Sequence, residues 1–173
     1  GAVLTRIAKS HIRVGTFEYA RFFSEPEHLS VFSDYVIERH YPELKDEENK
    51  VLRFFEAVMS QQIDLVVNWM RVVFIHGVMN TDNMSIAGET IDYGPCSFMN
   101  AYHPDTVFSS IDRNSRYAYN NQPRIAHWNL SVLANALLPL IDEKQEVAVE
   151  KDTEVLDSFP TKFSEKSLTM MRN

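Results

Sequence analysis

At 173 residues, with 45% hydrophobic and 12% aromatic content, the chain has the size and composition of one folded domain with a sizeable core, not of a disordered segment. A net charge of −7 argues against a general nucleic-acid binder, which shows a basic face, and the single cysteine, Cys96, excludes an internal disulfide framework and a Cys-x-x-Cys zinc site. The single cysteine makes a reducing cytoplasm the simple expectation; no apolar run is long enough for a membrane span, and no signal-peptide layout opens the chain.

Residues 2–8 alternate as a short strand would, and this abrupt strand-like start reads as part of a longer protein. Thr16 is a credible N-cap for a helix through Phe17, Tyr19 and Phe22. Pro26 suits the first turn of a second helix carrying Leu29, Phe32, Val36 and Ile37, which Pro42 closes. The clearest helix follows: Asp46, Glu47 and Glu48 load its start with negative charge, and a wide apolar stripe runs from Leu52 through Phe55, Met59, Gln62, Ile63 and Val66 to Val73. Such a helix is buried through the middle of a helical domain. Residues 95–122 are rich in Ser, Asn, Asp and Tyr with little periodicity, as functional or mobile loops are. Pro123 restarts order, and Trp128, Leu130, Leu133, Leu137 and Ile141 make another amphipathic helix, interrupted late by Pro139. Val147, Val149, Val155, Leu156, Phe159, Phe163 and Leu168 predict two shorter helices at the end.

The chemistry concentrates in residues 76–94. Asp82 and Asn83 stand nine or ten residues before Asp92-Tyr93-Gly94, separated by a short alternating run of Met84, Ile86 and Ile91. Two polar loops at the ends of one hairpin, facing a metal, are similar to the protein-kinase layout of a catalytic loop ending in a metal-binding Asn, followed by an Asp-Phe-Gly loop. Magnesium takes oxygen ligands, one or two of them from the protein and the rest from phosphates and water, so Asn83 and Asp92 form a suitable pair. The bland alternative is an Asx-turn at Asn83 and a capping role for Asp92. Aligning Asn83 with the kinase Asn places His76 on the motif's His, expected as a packed core residue, and Val78 where the catalytic Asp belongs. Asp82 is then the candidate base, with a salt bridge or an outer role at the metal as the other reading. Tyr93 replaces the usual Phe and is expected to pack inward. Arg6 and Arg13 are the candidate phosphate clamp, on one helical face or on a strand and loop. Cys96 reads as small buried filler. Arg113, Arg116 and the segment from Tyr117 to Arg124 suit either a peptide substrate or a packed loop.

These blocks together resemble the selenoprotein O family. Thr5-Arg6-Ile7-Ala8 through Tyr19, the run from His76 to Ile86, Thr90-Ile-Asp-Tyr-Gly-Pro95 and Asn121-Gln-Pro-Arg-Ile-Ala-His-Trp-Asn-Leu130 carry the resemblance over nearly the whole chain. It implies a mainly α (α+β) fold: the C-terminal lobe of a kinase-like protein in which a small β-hairpin carries the catalytic and metal loops. The whole span 1–173 is then one such domain, lacking the N-lobe with its Gly-rich loop and strand Lys. The implied activity is transfer of AMP from ATP to Ser, Thr or Tyr hydroxyls of proteins. ATP binds flipped relative to ordinary kinases, with Mg2+, or Mn2+ in its place, as cofactor. By resemblance Asp82 is the proton acceptor, Asn83 and Asp92 hold the metal, and Arg6, Arg13 and Asp92 bind the nucleotide. A bacterial member is expected in the cytoplasm and a eukaryotic one in the mitochondrion. Asn100 and His103 stand where acidic residues are expected, and Ser115 and Asn120 where glycine is expected. The competing functions are a phosphotransferase of the same fold, which Val78 disfavours, and an inactive kinase-like binding scaffold.

Overall fold

The computed structural model describes residues 1–172, and in them six α-helices surround one core. They are α1 (Val14–Phe22), α2 (Pro26–His40), α3 (Lys50–Arg71), α4 (Gln122–Ile141), α5 (Gln145–Asp157) and α6 (Phe159–Arg172). The one sheet among the described residues pairs β1 (Phe74–Ile75) antiparallel with β2 (Ser97–Phe98), in the register Phe74 to Phe98 and Ile75 to Ser97. The fold is mainly helical. Among the described residues no helix is long and apolar enough to cross a membrane.

Helix α3 is the centre because its wide apolar face is buried along most of its 22 residues. Phe54, Phe55, Val58, Met59, Ile63, Val66 and Val67 are buried, and the helix packs against α4 and α6. Phe17 of α1 stacks between Phe32 of α2 (4.8 Å) and Phe54 of α3 (5.6 Å), locking the first three helices through one aromatic cluster. Pro139 does not end α4, which continues to Ile141 with the proline on an exposed side. The acidic run Asp46–Glu48 lies just ahead of α3, whose first turn carries no acidic residue.

Three further expectations are corrected here. Residues 2–8 form no strand, and Val3, Leu4 and Ile7 are more than four-fifths exposed; a 2-periodic pattern without a neighbouring edge has nothing to pair with. Thr16 is not the N-cap of α1 but its third helical residue, and its Oγ1 accepts the amide of the true cap, Arg13, at 3.1 Å. Trp128 lies outside the apolar stripe of α4, half-exposed on the outer face.

A candidate nucleotide and metal site

Between β1 and β2 the chain makes one long excursion, residues 76–96, with little regular structure of its own. Irregular backbone next to a core must find hydrogen-bond partners elsewhere. Polar side chains planted on the apolar helices supply them. Gln62 of α3 donates to the Ser85 carbonyl (2.6 Å), and Trp69 donates through its indole to the Thr90 hydroxyl (2.9 Å). Gln122 of α4 donates to the Phe74 carbonyl and accepts from the His76 amide, both at 3.0 Å, while Asn129 donates to the Met79 carbonyl at 3.0 Å. The Tyr41 hydroxyl donates to the Ile86 carbonyl at 2.6 Å. The segment is pinned from beneath.

His76 ties the two ends of the excursion together. Its Nε2 donates to the Ile91 carbonyl at 2.7 Å, directly before Asp92, and its Nδ1 accepts the Val78 amide at 3.4 Å. This arrangement fits a neutral imidazole, and burial holds its pKa below the usual histidine value. The expectation of a packed, hydrogen-bonded His76 is borne out.

Asp82 and Asn83 share a short 3-10 turn, Thr81–Asn83. The Asn83 amide group donates to the Val78 carbonyl at 2.9 Å, leaving its Oδ1 without a hydrogen bond among the described residues. The Asp82 carboxylate is exposed and lies against Gly15, so closely that a Cβ at position 15 would collide with its Oδ1.

Asp92 adopts a left-handed backbone (φ 54°), unfavourable for any residue with a Cβ, and Gly94 closes the turn by donating to the Asp92 carbonyl at 2.7 Å. Its carboxylate meets both predicted arginines: Oδ1 pairs with Arg6 Nη1, and Oδ2 lies 3.3 Å from Arg13 Nη2. Neither arginine is on a two-turn helix. Arg13 precedes α1 and bridges antiparallel to Ser85, because Val14 donates to the Met84 carbonyl and Ile86 to the Ile12 carbonyl. Arg6 reaches in from the exposed leading segment, which Lys9 also fastens through its amide to Glu89 Oε2 at 2.8 Å.

Arg6, Arg13 and Asp92 thus line one cleft of about 340 Å³ with His11, Ile91 and Tyr93. Asp82 and Asn83 do not line it. They sit beside it, linked by the run from Arg13, which touches Asp92, to Gly15, which touches Asp82. Tyr93 does not pack inward as expected: it is 68% exposed, since the tight turn at Asp92 directs the following residue to solvent. Cys96 is half-buried against the core. Sequence reasoning carried Gln122 and Asn129 only as part of a matching block, gave them and Gly15 no role in holding the site, and took Gln62 for part of an apolar stripe. The available signal was amide side chains at buried positions of otherwise apolar helices.

A family model described as protein adenylyltransferase SelO matches residues 1–173. Proteins named protein nucleotidyltransferase YdiU are close relatives: 57% identity over 171 residues in Alcanivorax borkumensis, covering 99% of this chain and 35% of that protein. The Rhizobium rhizogenes relative is 54% identical over 172 residues, 99% of this chain and 34% of its own, and that of Pelagibacter ubique is 52% identical over 173 residues, 100% and 36%. The chain therefore spans about a third of the length of these curated relatives. With a family model matching from end to end, the chain belongs to the protein adenylyltransferase SelO family.

Proposed function

We propose that this chain supplies the base and one wall of the phosphate site in a metal-dependent protein adenylyltransferase, and that its helical body serves as the C-terminal lobe of a kinase-like enzyme. The observation that carries the reading is the convergence of Arg6 and Arg13 on Asp92, beside the turn that bears Asp82 and Asn83. Guanidinium pairs suit a polyphosphate, and the Asp92 carboxylate with the free Asn83 Oδ1 is an oxygen donor set suited to a hard cation such as Mg2+. When bound, that cation neutralises charge on the phosphates. Arg6 and Arg13 orient the tail of ATP. Asp82 accepts the proton of a Ser, Thr or Tyr hydroxyl of a protein substrate as the hydroxyl oxygen bonds to the α-phosphorus. The bond from that phosphorus to the β-phosphate bridge oxygen breaks, and pyrophosphate leaves. Val78, where a kinase carries its base, has no group to do this.

The remainder of the longer protein would complete the nucleotide pocket, so these 173 residues alone are expected to bind Mg-ATP more weakly than the low micromolar range. The deciding experiment incubates the full-length protein and its Asp82→Asn variant with protein acceptors and ATP labelled at either the α or the γ phosphate. Label from the α position on protein, lost in the variant while nucleotide binding persists, is the expected result. Label from the γ position makes the enzyme a kinase. No label from either makes it a scaffold.

A further inference from the structure

A second cleft, larger than the first at about 620 Å³, lies between the turn region 111–117 and the outer face of α4. Arg113, Arg116 and Arg124 line it, with Tyr117, Trp128 and Ile111. Its charge is one-sided. The acid among its lining residues, Asp112, is occupied by its own backbone, accepting from the amides of Asn114 (3.3 Å), Arg116 (3.0 Å) and Tyr117 (2.8 Å). None of the three arginines forms a salt bridge among the described residues, although the chain as a whole carries a net charge of −7. The chain carries 24 Asp and Glu residues, yet among the described residues none of them pairs with these three cations.

The cleft also presents apolar surface. Trp128 is 47% and Ile111 80% exposed, and the Arg116 guanidinium lies 4.6 Å from the centroid of the Trp128 ring. Stacking there holds the guanidinium plane in place while its outward N–H groups stay available. Exposed Trp and Arg with a half-buried Tyr, gathered in one concavity, are the composition of protein-binding hot spots.

We propose that this cleft docks an acidic peptide segment with an apolar anchor, belonging to the protein that receives AMP. The carboxylates would engage Arg113, Arg116 and Arg124, and the anchor would lie against Trp128 and Ile111. The assignment of the occupant as a substrate protein rests on the function proposed above; the peptide chemistry rests on the cleft alone. Nucleic acid is the less favoured anion, since a chain of net charge −7 repels a long polyanion that extends beyond the cleft. Helix α4 links the two sites: Asn129, next to Trp128, holds the Met79 carbonyl just before the turn that carries Asp82.

The test uses the full-length protein and a fluorescein-labelled peptide of about a dozen residues, rich in Glu and Asp around a central Phe. Anisotropy is expected to report saturable binding that weakens with added salt, and about tenfold with Arg113→Glu or Arg116→Glu. Within this chain Trp69 is buried and Trp128 exposed, so an unlabelled peptide should change the tryptophan emission of the protein, and Trp128→Phe should remove the part of that change that Trp128 carries. Circular dichroism confirms that each variant folds. Should Arg116→Glu unfold, Arg113→Glu still tests the cleft, because the exposed Arg113 side chain makes no hydrogen bond among the described residues. Equal binding of a Lys-rich peptide, tighter binding of a single-stranded RNA, or variants that bind the acidic peptide unchanged would each overturn the proposal. Peptide binding in a protein that transfers no AMP would leave the cleft standing and remove the function. AMP transfer without peptide binding would do the reverse.

Discussion

Two irregular stretches of this molecule are held in opposite ways. Residues 76–94 are fixed from outside: their backbone groups bond to Gln62, Gln122, Asn129 and Tyr41, and the Thr90 hydroxyl to Trp69, all at distant positions in the chain. Residues 109–118 are fixed largely from within, by the Asp112 carboxylate accepting three nearby amides, with two ties from the adjoining Asn121, to the Ser115 carbonyl at 2.9 Å and the Ala118 carbonyl at 3.0 Å. The first arrangement makes the placement of Asp82, Asn83 and Asp92 a property of the whole core. The second makes the cleft beside α4 a local device, able to loosen without disturbing the rest.

The comparison breaks most visibly at Gln122. Gln122→Leu strands the buried Phe74 carbonyl and His76 amide, so urea unfolding should show a loss of about 3 kcal/mol. A loss below about 1 kcal/mol would mean that the excursion does not depend on its helical anchors. Next comes acid. The His76 pKa is lowered in the fold, so the unfolded chain binds more protons below its own value of about 6.5, and the stability this site contributes is lost as pH falls from there. Against His76→Gln, which keeps a donor, the stability advantage of the natural residue should shrink by up to about 1.4 kcal/mol per pH unit between pH 6.5 and 5. Asp152, whose carboxyl burial pushes up to about 6, titrates in both proteins and cancels in the difference. An advantage that stays constant on acidification would show that His76 is charged in the fold. Asp112→Ala should cost less, about 1 to 2 kcal/mol. Amide exchange should quicken at Arg116 and Tyr117 while protection across 76–94 stays unchanged; spread of the change into that segment would end the distinction. Ser115→Gly is the smallest: with φ at 54° the serine sits where glycine is easier, and thermal unfolding should show a gain of about 0.5 kcal/mol.

The helices were legible because burial imposes a 3.6-residue rhythm, and α2 to α6 follow it closely. The metal-type loops were legible because their order after a buried helix is unusual, although nothing local to residues 76–94 says that Gln62 and Gln122 anchor them. The meeting of Arg6 and Arg13 on one carboxylate was expected as a clamp but not derivable from their spacing. It depends on the antiparallel run of Ile12–Val14 along Met84–Ile86, a contact between distant segments. Tyr93 was misread because inward packing was assigned from residue type, whereas the left-handed Asp92 decides its direction. Ser115 shows the converse. The expected glycine is absent, yet the backbone keeps the conformation that glycine favours.

Gly15 occupies the first turn of α1, where scanning for helix formers would score it as a defect worth up to about 1 kcal/mol against alanine. Repairing that defect would strengthen the helix and dislodge the Asp82 carboxylate, whose oxygen fills the volume a methyl group would take. Residue 15 is therefore chosen by a neighbour from another part of the chain rather than by the helix it belongs to. Stabilisation programmes that replace helical glycines by rule would raise the melting temperature here while moving the one side chain on which proton transfer is proposed to depend.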